Sequence, residues 1–205
     1  MKQKRKIFSK FIAVFLAVIT LLSMFPVMSV NAATISDNDT ITLEIVDSNL
    51  SYQSGWGRPA VKMKANDKVV YCVQPEKDAP KEKTYDSSQL KQVPENGNFG
   101  KKSKQAFNKA LYYSYGGTWF EKKVSAWGNK SMKDLMDGYT NINPPREKYY
   151  LITHILLSYM YSGETTSYGD HMVNYVPWSY INAAKELYNK LLEAPAAPVQ
   201  LRLYY

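Results

Sequence analysis

Cys72 and His154 are the two side chains of this sequence whose types could do covalent chemistry together. A thiol is a weak nucleophile until it loses its proton, and an imidazole within hydrogen-bond reach can take that proton near neutral pH. Such a pair would serve a secreted cysteine hydrolase or transamidase. The same residues have a blander use, with Cys72 as a small buried hydrophobe and His154 bonded to a tyrosine or backbone group in the core. A third arrangement adds His171 to make a metal site, but the three show no recognisable ligand spacing. We therefore assign no metal and no other cofactor. His171 follows Asp170 in a polar Ser-Tyr-Gly-Asp-His stretch, which points to an exposed residue.

The elements that must position the pair are of two kinds. Lys68 to Val73 and Ala60 to Lys64 flank Asn66-Asp67, a two-residue hairpin signal. The pattern predicts a strand that carries Cys72 and stops at Pro75, with Val70, Cys72 and Gln74 on one face. Ahead of it, Ile41, Leu43 and Ile45 alternate with Thr40, Thr42 and Glu44 as in a half-buried strand. His154 lies in the most apolar helix, predicted from Glu147 to Tyr161 between Pro144-Pro145 and Gly163. Tyr150, Leu151, Leu157, Ser158 and Tyr161 share its side of that helix, so its surroundings are apolar and aromatic. Burial there would favour the neutral ring.

Further helices are expected from Ala106 to a stop at Gly116-Gly117, from Ser131 to Gly138, and from Ile181 to a close at Pro195. Ser131 is an N-cap candidate with Asp134 three residues on. Glu76 to Lys102, rich in charge, proline and glycine, is expected to be a long connector. Val199, Leu201, Leu203 and Tyr205 alternate once more and predict a last strand. The class expected is α+β, a β-rich sandwich or barrel-like sheet with an inserted helical lobe.

Tyr71-Cys72-Val73-Gln74-Pro75 at a strand end, and Ile152-Thr153-His154-Ile155-Leu156-Leu157-Ser158-Tyr159 in an apolar helix, together resemble the two signatures of the thioester domains of Gram-positive surface adhesins. The first is an aromatic-Cys-hydrophobic motif that supplies a thiol. The second, Thr-Gln-x-Ala-hydrophobic-Trp, supplies a glutamine, and the side chains condense to an internal thioester. The resemblance implies a β-rich scaffold with a helical lobe and a covalent trap for a nucleophile on a host protein. Thr153 matches the family threonine, but His154 stands where the reactive glutamine belongs, and Leu156 and Tyr159 replace the small and aromatic residues. Imidazole has no carboxamide carbon for a thiolate to attack, so a Cys72–His154 thioester is chemically excluded. Gln74, Gln89, Gln92 and Gln105 are other carboxamides without motif support.

Residues 1–32 read as a secretory signal peptide. Lys2, Lys4, Arg5, Lys6 and Lys10 form a basic start, Phe11 to Leu22 an apolar run, and Val30-Asn31-Ala32 a small-residue exit. An uncleaved anchor is the alternative reading of the apolar run, and Pro26 and the exit argue against it. The remaining chain, residues 33–205, reads as one thioester-domain-like unit, with a further β domain able to begin near 197. Without the leader, 21 basic and 18 acidic residues leave a charge of only +3, against +8 for the whole chain. That balance gives no argument for nucleic acid or a membrane surface as partner. The single cysteine excludes an internal disulfide, although export exposes it to oxidising conditions.

The function expected is that of an exported, cell-surface binding protein of adhesin type from a Gram-positive bacterium, probing a host or neighbouring-cell protein. Carbohydrate is a second ligand class, suggested by 17 tyrosines and 4 tryptophans. In the adhesin reading Cys72 and His154 meet between sheet and helix without an orienting Asp or Asn. In the hydrolase or transamidase reading an orienting residue and an oxyanion site converge on Cys72.

Overall fold

The computed structural model describes residues 40–53, 59–74, 76–78, 83–86, 97–166 and 169–198. The expected leader, the final strand, Pro75, Gln89 and Gln92 lie outside them. Among the described residues six strands come first: β1 (Thr40–Leu50), β2 (Ala60–Ala65), β3 (Lys68–Val70), β4 (Lys83–Asp86), β5 (Asn98–Phe99) and β6 (Lys102–Ser103). The described residues then form the α-helices α1 (Lys104–Tyr113), α2 (Met132–Asp137), α3 (Lys148–Ser162) and α4 (Trp178–Glu193). The class is α+β as expected. The first four strands form an open antiparallel sheet in the order β3-β2-β1-β4, and β5 and β6 make a separate hairpin.

The β2–β3 turn is the one the sequence announced. Asn66 and Asp67 both take positive φ, 46° and 64°, as a two-residue turn of type I′ demands. Asn66 also docks on β1, where Thr42 N donates to its Oδ1 at 3.0 Å. β3 is shorter than expected: it ends at Val70, so Tyr71 and Cys72 lie just beyond the strand rather than in it. The stretch expected to be only a connector contributes β4, which pairs with the first half of β1.

Along β1, Ile41, Leu43 and Ile45 turn inward and Thr42, Glu44 and Val46 outward. Register shifts after Ile45 and after Asp47 break that alternation, and the strand then buries Leu50 completely. Bulges bend a strand and re-aim its side chains. Here they lead the chain to Tyr52, which is buried against the helices.

α3 is the central element. From Tyr150 to Ser158 every residue is buried, which a helix apolar on all sides requires. Tyr150 ties it to the sheet by donating its hydroxyl to the carbonyls of Val61 (2.8 Å) and Val70 (3.2 Å). α3 starts without a side-chain cap. Glu147, at φ 58°, sends its carboxylate to Lys62 of β2 at 2.7 Å instead. α2 begins with the full capping box, Asp134 N donating to Ser131 Oγ and Ser131 N to Asp134 Oδ2. The end of α4 is satisfied from α1, where Lys109 donates to the carbonyls of Leu191, Leu192 and Ala194.

Candidate functional site

The segment after β3 is fixed by its neighbours on both sides of Cys72. Tyr71 stacks on Tyr150 of α3 with ring centroids 4.8 Å apart, and its hydroxyl donates to the Tyr115 carbonyl at 2.7 Å. Tyr115 in turn donates its backbone N–H to Thr153 Oγ1 at 3.3 Å. Tyr71 and Thr153, each next in sequence to a candidate site residue, thus bind the same loop. Their pinning delivers Cys72 and His154 to the same place.

That place is a cavity of about 270 Å³, lined by Cys72 and His154 with Tyr52, Ala60, Gln74 and Lys77 among others. The two candidate residues are therefore brought together, between sheet and helix. No hydrogen bond joins their side chains. The Cys72 thiol is half-buried and donates to the Gln74 backbone carbonyl, with Sγ 3.6 Å from the oxygen. Burial pushes its pKa up from the ordinary thiol value, against weaker opposing pulls from the Gln74 backbone and then the Lys77 charge. A thiol so placed keeps its proton at neutral pH.

His154 is 5% exposed. Its Nδ1 lies 2.8 Å from the hydroxyl of Tyr52, and its backbone carbonyl accepts from Ser158 Oγ at 2.9 Å. Tyr52 is itself held, because Tyr180 of α4 donates to its backbone carbonyl at 2.9 Å. Burial lowers the His154 pKa to about 4, while the nearby Cys72 carbonyl pulls weakly toward the protonated ring. The ring is neutral at pH 7. Its Nε2 is buried, and the Cys72 backbone carbonyl is the acceptor the ring has beside it.

The neutral ring has two tautomers with different consequences. If Tyr52 donates to Nδ1, then Nε2 carries the proton and is a hydrogen-bond donor. If Nδ1–H donates to Tyr52, then Nε2 is a bare base. Among the described residues the Tyr52 hydroxyl has no partner other than Nδ1. A buried phenol that donates nowhere wastes its proton, so the first tautomer is favoured.

Tyr52 is the site residue that sequence reasoning missed. It is one of 17 tyrosines and sits in no motif. The break in the β1 alternation before it was the only available signal. His171, the third candidate metal ligand, is not in the cavity wall. Its Nδ1 accepts from Val173 N at 3.3 Å, and its ring packs on Trp178 at 5.0 Å. Among the described residues no orienting Asp or Asn bonds His154; the phenol of Tyr52 takes that position.

No curated protein and no solved structure matches the chain. The family model described as "Thioester domain" matches residues 47–198, most of the chain and the whole of the region from the end of β1 through α4. The match contains both Cys72 and His154. This chain belongs to the thioester domain family.

Proposed function

We propose that this chain is an exported binding protein of adhesin type, secreted or held at the surface of a Gram-positive bacterium, that engages its partner without the usual Cys–Gln thioester. The observation that carries this reading is the residue that α3 brings to the cavity wall of Cys72: it is His154, an imidazole without a carboxamide carbon. A glutamine at that position would lose ammonia as the thiolate attacks its side-chain carbonyl. His154 has no such leaving group. The partner is a protein ligand on a host or neighbouring cell, or a carbohydrate there. Residues 1–32 supply the export signal, and no described helix is long and apolar enough to cross a membrane.

A secreted cysteine hydrolase or transamidase is the second reading, favoured by the shared cavity of Cys72 and His154. It requires the other tautomer, with Nε2 bare, and a lower thiol pKa than burial leaves to Cys72.

Cell binding under denaturing recovery tests the first reading. Mature chain, fluorescently labelled on lysines, is incubated with cultured epithelial cells and recovered in hot detergent. The expected result is saturable binding that detergent releases in full and that Cys72→Ala retains. A detergent-resistant adduct, lost in Cys72→Ala, would contradict it.

A further inference from the structure

Trp178 opens α4 with 48% of its surface exposed. An exposed apolar residue alone calls for no explanation. This one has fixed polar neighbours. His171 packs its ring on the indole, and its Nδ1 accepts from Val173 N at 3.3 Å. With Nδ1 as acceptor, the ring proton sits on Nε2. Glu164 is held opposite: its backbone carbonyl accepts from Met172 N at 2.8 Å, and Thr165 forms a β-bridge with His171. Lys185 of α4 pins Oε1 of the Glu164 carboxylate at 2.6 Å and holds that group below the usual carboxylate range. The other oxygen, Oε2, faces His171 Nε2 at 3.8 Å.

That gap is too long for a hydrogen bond, and it is the right width for one oxygen atom bonded to both sides. The oxygen must accept from Nε2–H and donate to a carboxylate. A hydroxyl does both, whereas a carbonyl or a carboxylate cannot donate and an ammonium cannot accept. Beside the gap lies an indole, whose face calls for an apolar group in the ligand. A sugar ring carries the two features together, a hydroxyl next to a face of C–H bonds.

We infer that Trp178, His171 and Glu164 form a carbohydrate subsite, in which a neutral hexose stacks its C–H face on the indole and sets one hydroxyl between His171 Nε2 and Glu164 Oε2. The inference rests on the binding-protein reading above and deepens it by choosing carbohydrate as the ligand and naming its place. Acidic sugars are disfavoured, because Lys185 balances only one of the two carboxylates at the subsite, Glu164 and Asp170. The subsite adjoins the Cys72 cavity through Tyr175. That residue lines the cavity and donates its hydroxyl at 3.0 Å to Asp170, the neighbour of His171.

The experiment is saturation-transfer difference NMR of the mature protein with methyl α-glucoside, methyl α-galactoside, methyl α-mannoside and N-acetylneuraminic acid, each added alone. Expected is transfer to the ring C–H protons of at least one neutral glycoside and none to N-acetylneuraminic acid. Trp178→Ala and Glu164→Ala are each expected to lose the transfer, and Trp178→Tyr, which keeps an aromatic face, to retain it. Leu192→Ala, which removes an equally exposed apolar side chain at the far end of α4, should leave it unchanged. Three results would overturn the inference: no transfer to any neutral glycoside, transfer that survives Trp178→Ala, or transfer to N-acetylneuraminic acid that equals or exceeds that to the glycosides. Binding of the labelled protein to epithelial cells separates the two claims. Cell binding that is lost in Trp178→Ala, with no transfer to any glycoside, would give this surface to a protein partner and sink the carbohydrate assignment alone. A wild-type chain that neither binds cells nor shows transfer to any glycoside would sink the binding-protein reading itself.

Discussion

The hydroxyl of Tyr52 and Nδ1 of His154 lie 2.8 Å apart, joining the segment after β1 to the middle of α3 across 102 positions of sequence. This contact fixes the ring's orientation and assigns its proton, and so determines what the cavity can do. Tyr52→Phe keeps the ring and removes the donor. A loss of about 1–2 kcal/mol is expected in denaturant unfolding, because Nδ1 is left buried and unpaired. The His154 ring nitrogens should also change their tautomer balance, visible by nitrogen-15 NMR. A stability and a spectrum equal to wild type would show that the contact is unimportant.

Burial of the neutral ring makes stability depend on pH. In the unfolded chain His154 takes a proton near its ordinary value of 6.5; in the folded chain it resists until about pH 4. Between those values the unfolded state binds more protons, so stability falls as pH falls and levels off below about pH 4. At 1.36 kcal/mol per unit, the full effect is about 3 kcal/mol. His154→Gln should remove this part of the slope in unfolding curves taken at intervals from pH 7 to pH 4. An unchanged slope would mean that other groups produce it.

Cys72 should be slow to alkylate. Its thiol pKa is raised by burial, so the thiolate fraction at neutral pH is smaller than for a free thiol. Iodoacetamide labelling followed by mass spectrometry is expected to run slower in the folded protein than in denaturant, and no slower in His154→Ala than in wild type. Fast labelling that depends on His154 would favour the hydrolase or transamidase reading.

Much of the scaffold was legible because its signals are local. The Asn66-Asp67 turn, the Ser131–Asp134 capping box and the α3 boundaries each depend on residues within a few positions of one another. What was not legible depends on distant partners. β4 is a four-residue strand that pairs with the first half of β1, about 40 positions away. Tyr71 leaves the strand pattern because it stacks on Tyr150 and bonds the Tyr115 carbonyl, neither of them near in sequence. Cys72 and His154 were found by their chemistry, but Tyr52, which orients the histidine, has an ordinary local context.

If the missing carboxamide is what prevents a thioester, restoring it should restore the bond. In His154→Gln the Tyr52 hydroxyl can donate to the new side-chain oxygen and polarise the carbonyl toward Cys72. The expected product is a protein lighter by one ammonia, a change abolished by Cys72→Ala. A variant of unmodified mass would show that Leu156, Tyr159 or the raised thiol pKa also stands in the way.

The central claim is that the natural chain holds no internal thioester, and intact mass spectrometry of the purified mature protein, with and without methylamine, tests it most directly. The mass expected is that of the unmodified sequence, unchanged by the amine. A mass lower by one ammonia, converted to a methylamine adduct and restored to the unmodified value in Cys72→Ala, would contradict the account and would mean that another glutamine, Gln74 in the same cavity wall first among them, has taken the place of His154.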